Sequence, residues 1–497
     1  MLQLVRKGSR RLRATLVVLV FCGVLSNPAN SQSVLGVGLH HRVLPLNRFP
    51  NSHAAGTDQQ GFYFMPTAVG DDYFDGTDPP ERVERHLRIA KSAGVKYLRC
   101  AFSWNGIEPQ RGVYRWKFWD DFVSRAEKHG IRLIPYVAYT PEWAARSKQD
   151  FWRQPPSDPQ LYADFIERIA ARYRGRILSW ELWNEPDLQD YWAGSAEDFA
   201  VLVKLAASAV RRGDPKAVIA LGGVSRGPTE FFRSLMRLKI DQYVDVIAMH
   251  AYPESWHEQR LEEIFEDWVP RMQELIQQGG SGVDLWLNEA GYPEYRYSPA
   301  FATKDHTHAN YVYEHTRMYQ ATFLFKMFTL ALASGKLSLA GWYRIDDFSQ
   351  AEKRLPKDQV HFHLGLLDAQ HQAKPDLSAL RFLNELFAVP ARTIALPSKP
   401  KSNAVVEEIE TKAGDLVIVG WLRSSEYGDV REHTGMLRDV RRETIAVPLP
   451  CRRSSKLQFY SVLGKPRHDP AKLGGGVLRN IALTGEKVFI ARLRCQK

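Results

Sequence analysis

The chain has 497 residues, a net charge of +11 and a hydrophobic content of 44%. This length allows one large domain and a smaller one, and a core of that size needs no disulfide bonds to be stable. The ordinary apolar content excludes a disordered or fibrous protein.

The first 31 residues have the pattern of an export signal. Five basic residues and no acid precede an apolar stretch of twelve residues from Ala14 to Leu25, and Ala29 and Ser31 have the spacing that a signal peptidase requires. A stretch this short does not cross a bilayer comfortably. We expect a signal peptide over 1–31 and a secreted or periplasmic protein with no stable membrane span after cleavage. An uncleaved N-terminal membrane anchor is the alternative.

The positive charge is concentrated at the two ends of the chain. From Ala391 onward there are 20 basic and 11 acidic residues, whereas the middle of the chain is slightly acidic. A basic C-terminal region favours polyanions such as acidic polysaccharide, although the same charge is typical of a soluble surface without a specific partner. Nothing resembles a nucleic-acid-binding module, so no nucleic acid partner is predicted.

Apolar runs suited to strands alternate with amphipathic helix-like segments over most of the chain. The runs begin at Gly61, Val95, Ile131, Ile177, Ala217, Val244, Asp284 and Leu339. Parallel strands are covered by helices on both faces and therefore read as nearly continuous apolar runs. Eight such units predict an α/β fold, a (β/α)8 TIM barrel over 61–390. A doubly wound sheet is the alternative, but no glycine-rich phosphate loop follows the first strand.

The pattern changes at Ala391. Short strand-like runs separated by Gly and Pro follow, without helical periodicity. They predict a small C-terminal antiparallel β-sandwich over 391–497 that shields part of the barrel. Residues 32–60 are rich in Pro, Asn, His and Gly and are expected to form an N-terminal leader.

Three cysteines remain beyond the signal. Cys451 and Cys495 can form a disulfide in an oxidising compartment, which leaves Cys100 as a buried thiol. Alternatively, all three are small core residues. The sequence contains no CxxC pair and no HExxH motif. No metal and no cofactor are therefore predicted.

Two glutamates close apolar strand runs. Glu185 follows Asn184 at the end of the fourth run, and Glu289 follows Asn288 at the end of the seventh. The functional residues of such a barrel lie at the carboxyl ends of its strands. Two carboxylates at one mouth suit a glycosidase, in which one protonates the departing oxygen and the other attacks the sugar carbon. A lone glutamate would more often pair with a helix, but two in matching contexts favour catalysis.

These motifs resemble clan A of the glycoside hydrolases and are most similar to family 39, the group of β-xylosidases, α-L-iduronidase and bacterial exopolysaccharide hydrolases. WNEPD at 183–187 resembles the acid/base motif, and WLNEAGY at 286–292 resembles the nucleophile strand. The segments 94–116 and 250–254 resemble the blocks of the second and sixth strands. The resemblance covers most of the chain and implies a secreted, retaining glycoside hydrolase that acts on a polysaccharide or oligosaccharide.

The resemblance also implies the roles of the central residues. Glu185 corresponds to the acid/base, Glu289 to the nucleophile, and Asn184 to the residue that hydrogen-bonds the sugar 2-hydroxyl. Because Glu185 must begin the reaction protonated, its pKa has to be raised. Asn288 departs from the family pattern, since many relatives carry Ser or Thr at that position.

Four further residues have supporting roles by the same resemblance. Arg99, at the end of strand two, would keep the Glu289 carboxylate ionised through its opposite charge. Tyr252 would donate a hydrogen bond to the same carboxylate, and His250 would line the floor of the site. Trp342, on strand eight, would offer an aromatic face under the sugar. The alternatives are a barrel ion pair for Arg99, a core hydroxyl for Tyr252 and packing for Trp342.

Several other aromatic residues near the predicted strand ends suit stacking against sugar rings, although such residues are also ordinary packing. They are Trp104, Tyr139, Trp143, Trp183 and Tyr292. Two other functions fit the sequence. One is a family 5-like endo-glucanase or mannanase, and the other is a non-catalytic carbohydrate-binding protein, such as an exopolysaccharide scaffold. Retention of both glutamates argues against the second, because binding alone requires neither.

Overall fold

The computed structural model of the chain describes residues 57–257, 259–294, 316–348, 363–394, 403–423, 441–450 and 454–495. The predicted signal peptide, most of the predicted leader, Cys451 and the Cys495 side chain lie outside the described residues. The disulfide therefore stays a prediction. Cys100 is a buried free thiol, as expected.

Eight parallel strands close into a barrel in which each strand pairs with the next and the last pairs with the first. They are β1 (Thr67–Gly70), β2 (Tyr97–Ser103), β3 (Arg132–Ala138), β4 (Ser179–Leu182), β5 (Val218–Val224), β6 (Val246–Ala251), β7 (Asp284–Ala290) and β8 (Leu339–Tyr343). The predicted barrel is confirmed. The first strand is shorter than its apolar run, which begins at Gly61, six residues before β1.

Helices pack around the barrel. The described ones are α1 (Pro80–Ser92), α2 (Trp104–Ile107), α3 (Trp116–His129), α4 (Pro159–Arg172), α5 (Ala196–Gly213), α6 (Glu230–Arg237), α7 (Leu261–Glu263), α8 (Val269–Gly279), α9 (Arg317–Ala333) and α10 (Pro375–Leu386). Their ends follow local chemistry: proline occupies the first turn of α1, α4 and α10, and Ser195 with Asp198 forms a capping box on α5. None of the helices in the described ranges combines the length and apolarity needed to cross a bilayer.

The interior of the barrel changes character along its axis. Apolar side chains fill the end at which the strands begin; they are Ala68, Tyr97, Ile134, Ala220, Val246, Ala248, Trp286 and Leu339. Toward the carboxyl ends the interior becomes charged, with Arg99 and Glu181 both buried. Arg99 was expected at the end of strand two but lies in its middle, because the apolar run continues through Phe102 and extends β2 to Ser103. The polar end is therefore where chemistry is expected.

The C-terminal region forms two antiparallel sheets. The larger has the order β14-β13-β17-β11-β10-β9 and the smaller the order β12-β16-β15. The strands are β9 (Ala391–Thr393), β10 (Ala404–Thr411), β11 (Asp415–Leu422), β12 (Arg442–Pro448), β13 (Ser454–Tyr460), β14 (Pro466–Arg467), β15 (Lys472–Gly474), β16 (Val477–Thr484) and β17 (Phe489–Cys495). An apolar core that includes Ile418 and Leu483 lies between the sheets, as in the predicted β-sandwich.

The larger sheet packs its other face against the barrel. Every residue of β11 is buried, and its alternate side chains belong to different cores: Leu416 faces the smaller sheet and Val417 faces the barrel. Trp421 lies on the same face as Val417, and its indole nitrogen donates to Glu262 Oε1 at 2.7 Å. Lys326 of α9 donates to the carbonyl of Gly485 at 2.8 Å. The sandwich is thus joined to the barrel by buried polar contacts as well as by apolar packing.

Candidate active site

The barrel brings Glu185 and Glu289 together at its mouth. Glu185 lies in the turn after β4, and Glu289 is the penultimate residue of β7. An oxygen of one carboxylate lies within 4.8 Å of an oxygen of the other. Both residues are largely enclosed, with 8% of Glu185 and 12% of the Glu289 side chain exposed. The carboxylates are therefore close enough to act on one bond.

The turn that presents Glu185 has an unusual backbone. Trp183 and Glu185 have positive φ values of 80° and 44°. Such conformations cost about 1–3 kcal/mol each in residues other than glycine and occur preferentially at functional sites. The turn is held by a hydrogen bond from the Glu185 amide to the carbonyl of Gly223 at 3.0 Å. Strain in this turn thus accompanies the presentation of a carboxylate.

Glycine in β5 makes room for the side chain that contacts Glu185. A Cβ atom at Gly223 would lie 2.1 Å from Nε2 of His250, so a larger residue would displace the imidazole. His250 is fully buried, and its Nδ1 lies 2.9 Å from Oε1 of Glu185. His250 lines the floor of the site, as predicted from the resemblance.

The pKa values of these two groups move in the same direction. Burial raises the pKa of Glu185, and this effect outweighs the opposing hydrogen bond from His250. Burial lowers the pKa of His250, but the negative charges of Glu289 and Glu185 outweigh it and raise that pKa overall. A carboxyl group with a raised pKa suits the role of proton donor.

Glu289 is held by a cation and a hydroxyl. Arg99 Nη1 lies 2.5 Å from Oε2, and the Tyr252 hydroxyl donates to Oε1 at 2.5 Å. Burial and the charge of Glu289 raise the pKa of Tyr252 well above its usual value, so the hydroxyl remains a donor. The two contacts predicted for Arg99 and Tyr252 are present. They orient the carboxylate and favour its ionised form.

Glu181 belongs to the same network and was not among the residues predicted from the sequence. Its carboxylate accepts from Nε and Nη2 of Arg99 at 2.8 and 2.9 Å, from the Gly223 amide at 3.0 Å and from Nδ2 of Asn288 at 2.9 Å. It therefore fixes the guanidinium that reaches Glu289. This contact gives a structural reason for an asparagine at position 288, because its side-chain amide donates from β7 to Glu181. An acid in the middle of an apolar strand run was the available signal.

Asn184 lies between this network and the cleft. Its Oδ1 accepts from Nη2 of Arg99 at 2.7 Å. Within the described residues its amide nitrogen has no protein partner. Because the oxygen is engaged, the nitrogen is the group left to donate to a sugar hydroxyl, in keeping with the predicted role.

Trp342 does not have the predicted role. It is fully buried, its indole nitrogen donates to the carbonyl of Leu364 at 3.2 Å, and it packs near Phe323 of α9. Successive side chains of a strand point to opposite sides, so the next residue, Tyr343, faces the barrel interior. Burial and the charges of Asp72 and Glu289 raise the pKa of Tyr343. Tyr343 is therefore the aromatic residue of β8 that faces the site.

The other predicted aromatic residues divide into packing residues and cleft residues. Trp104, Trp183 and Tyr292 are fully buried, so of the two alternatives the structure selects packing for them. Tyr139 is partly exposed and lies with two residues that were not predicted, Trp152 at 5.5 Å and Tyr191 at 6.4 Å between ring centroids. Trp143 is partly exposed but packs on Trp104. Tyr139, Trp152 and Tyr191 thus form a partly exposed aromatic cluster on the side of Glu185.

Glu185, His250 and Glu289 also have the composition of a three-ligand metal site, since their potential ligand atoms lie within 4.8 Å of one another. Their surroundings favour a different use. Nδ1 of His250 is hydrogen-bonded to Glu185, and the guanidinium of Arg99 already supplies a positive charge at Glu289. A second cation there would be repelled by that charge.

A (β/α)8 barrel with two facing glutamates after β4 and in β7 defines a clan A glycoside hydrolase. The sequence matches the profile "Glycosyl hydrolases family 39" over residues 75–412, and the chain belongs to that family. It is 26% identical over 149 residues to a β-xylosidase from Caldicellulosiruptor saccharolyticus, a match that spans 27% of this chain and only 30% of that relative.

Solved structures share the fold at low sequence identity. A family 39 glycoside hydrolase from the gut symbiont Bacteroides cellulosilyticus WH2 has a TM-score of 0.66 at 16% identity, over 87% of this chain and 81% of that chain. A monomeric β-xylosidase from Caulobacter crescentus CB15 has a TM-score of 0.61 at 17% identity, over 90% of this chain and 98% of that chain. The likeness extends through the barrel and into the C-terminal sheets.

Proposed function

We propose that this chain hydrolyses O-glycosidic bonds of a polysaccharide or oligosaccharide with retention of configuration. The reaction is a double displacement at the anomeric carbon, with Glu289 as nucleophile and Glu185 as acid/base. The observation that carries the proposal is the separation of the two carboxylates. Retaining enzymes hold their carboxyl groups roughly 5–5.5 Å apart and inverting enzymes roughly 6.5–9.5 Å apart. A pair of oxygens within 4.8 Å of one another is close to the retaining separation and shorter than the inverting one.

In the first step Glu289 attacks the anomeric carbon while Glu185 gives its proton to the leaving oxygen. Arg99 and Tyr252 hold the Glu289 carboxylate in line, and the raised pKa of Glu185 keeps a proton available. Asn184 donates to the 2-hydroxyl, a contact that strengthens as the sugar gains positive charge.

In the second step Glu185 is ionised and takes a proton from water. The hydroxide that forms attacks the anomeric carbon, the bond to Glu289 breaks, and the product leaves with its original configuration. His250 is hydrogen-bonded to Glu185 in a fully buried position and stabilises the ionised form during this step.

The substrate is proposed from two further observations. The proteins to which the chain is similar include two named β-xylosidase, which supports a β-linked sugar as substrate. The basic C-terminal region supports an acidic polymer. We further propose export from the cytoplasm, on the pattern of the first 31 residues, which lie outside the described residues.

The test is a screen followed by trapping of the intermediate. The purified protein is assayed against aryl glycosides and a polysaccharide panel, and product configuration is followed by NMR. A 2-fluoro glycoside of the sugar that is cleaved should leave a covalent sugar on Glu289, detectable by mass spectrometry of peptides. An inverted product or a label on another residue would contradict the mechanism. Tight carbohydrate binding without any hydrolysis would instead identify a binding protein.

A further inference from the structure

Arg226 is an exposed cation at the mouth of the barrel, two residues beyond the end of β5. Within the described ranges it forms no ion pair and no hydrogen bond. Other arginines around the same mouth are engaged: Arg153 pairs with Asp150, and Arg344 with Asp71. An unpaired guanidinium at the barrel mouth that also holds Glu185 and Glu289 is therefore a distinct feature of this region.

The backbone around Arg226 is tied to the turn that carries Glu185. The amide and the hydroxyl of Ser225 each donate to a different oxygen of Asp187 at 2.9 Å. Asp187 is two residues beyond Glu185 in the same turn. Each Asp187 oxygen accepts a hydrogen bond from Ser225, and within the described residues no ion pair joins Asp187 to Arg226.

On its other side the segment packs against the loop after β6. A Cβ atom at Gly227 would lie 2.5 Å from the Trp268 ring, so the two are in close contact. The Trp268 ring lies 5.1 Å from the ring of His257, whose Nδ1 accepts from the Tyr252 amide. Burial, with a further effect of the Arg226 charge, lowers the pKa of His257 to about 3. The backbone at Arg226 thus lies between the loops that carry Glu185 and Tyr252, and its side chain is exposed.

This position is on the side of the leaving group. Glu289 attacks the sugar that stays on the enzyme, whereas Glu185 protonates the oxygen of the sugar that departs. Arg226 follows β5, the strand next to that of Glu185, and β7 with Glu289 is two strands further around the barrel. A group on the departing sugar would therefore come within reach of Arg226.

We propose that Arg226 binds a carboxylate on the departing sugar, so that this enzyme cleaves fastest those bonds whose leaving group is a uronic acid residue. The planar guanidinium offers parallel N–H donors that match the two oxygens of a carboxylate. A neutral sugar leaves those donors to water. The inference rests on the proposed glycoside hydrolase function and specifies its substrate.

The test compares uronic-acid-containing polysaccharides with the same polymers after their carboxyl groups have been reduced to primary alcohols. For the wild type, kcat/KM on the best acidic polymer should exceed that on its reduced form about tenfold, the size of one hydrogen-bonded charge pair. In Arg226→Gln the ratio should fall to about one. Arg226→Lys should retain part of the preference for the acidic polymer, because lysine keeps the positive charge but lacks the two parallel N–H donors of the guanidinium.

Arg88→Gln is the matched control, since Arg88 is exposed on α1, away from the mouth, and it should keep the wild-type ratio. A ratio of one in the wild type, or a ratio that survives Arg226→Gln, overturns the assignment of Arg226. Hydrolysis of aryl glycosides is measured alongside: its presence with a ratio of one rejects this inference alone. If the wild type hydrolyses neither aryl glycosides nor the polymers, the proposed function is rejected and this inference with it.

Discussion

Strand β11 of the sandwich and the residues beneath the mouth of the barrel are both buried, but they differ in chemistry. In β11 the two faces present apolar side chains to two cores, such as Ile418 to one and Val419 to the other. At the barrel mouth the buried groups include Arg99 and Glu181, which carry charges. A buried ion pair is often no more stabilising than an apolar pair of similar volume. The barrel mouth therefore retains charge for its chemistry, and burial alone does not identify the site.

The largest expected effect comes from removing the nucleophile. Glu289→Ala should lower turnover on every substrate by about 10⁴-fold or more, because no covalent intermediate can form. Glu185→Ala should cost roughly 10²–10⁴-fold with a poor leaving group and less with a good one. Steady-state kinetics on aryl glycosides of graded leaving-group pKa measure both effects.

Azide distinguishes the two roles. It needs no deprotonation, so it should rescue Glu185→Ala and give a β-glycosyl azide if the natural bond is β. Rescue of Glu289→Ala with an inverted product would mean that the roles are reversed. Full activity in either variant would show that this pair is not catalytic.

Removal of Glu181 tests whether the charged network is a unit. Glu181→Leu leaves the guanidinium of Arg99 with one carboxylate fewer, and loss of a buried partner of this kind costs about 3–5 kcal/mol of unfolding free energy. Denaturant unfolding and kcat/KM should both show the loss. Glu181→Gln is the control, because it keeps one acceptor oxygen and should be milder. A stable, fully active Glu181→Leu would contradict the assignment of Glu181 as the residue that positions Arg99.

The sandwich should respond in stability without a change in chemistry. Trp421→Ala removes a fully buried indole between β11 and the barrel and leaves Glu262 without that donor. We expect a loss of about 3–5 kcal/mol, with unchanged kcat and KM for the fraction that remains folded. Trp421→Phe keeps the packing and should lose less. A changed KM in a folded Trp421→Ala protein would mean that the C-terminal region contributes to the site.

His250 should shift the alkaline limit of activity through its effect on the pKa of Glu185. Glu185 must be protonated, so kcat/KM falls as pH rises through its pKa. His250 lowers that pKa, although burial keeps it raised overall. His250→Ala should therefore move the alkaline limb to higher pH, by about one unit if the lost contact is worth about 1.4 kcal/mol. His250→Gln restores a side-chain amide without the charge and should move it less. A shift to lower pH would contradict this electrostatic role.

The smallest effect is expected from the basic C-terminal region. Its attraction to an anionic polysaccharide is screened over roughly 8 Å at physiological ionic strength. Retention on such a matrix should fall steeply with salt, and fall again when Arg441, Arg442, Arg452 and Arg453 are changed to Ser; the last two lie outside the described residues. A neutral matrix is the control. Retention that does not depend on salt would contradict the prediction.

Much of the fold and the centre of the site were predictable from local patterns. Alternating apolar runs and amphipathic segments predicted the barrel, and Glu185 and Glu289 stood out because each closes such a run. Trp342 was assigned to the wrong face, because a short run that is apolar throughout does not reveal which of two neighbours points inward. Trp104, Trp183 and Tyr292 could not be assigned from the sequence, because aromatic residues near strand ends serve packing and stacking equally well.

The sequence by itself determined the class of fold and the two glutamates, because both depend on residues that are neighbours in the chain. Only the tertiary structure decided which charges meet. Arg99 contacts Glu181 and Glu289, which are 82 and 190 positions away, and these contacts depend on the register of strands around a closed barrel. The same holds for Tyr343, which faces the site, and for Arg226, which forms no ion pair with a described carboxylate. Such pairings depend on the register of the strands in the closed barrel, because a shift of one residue in a strand turns every side chain to the other face.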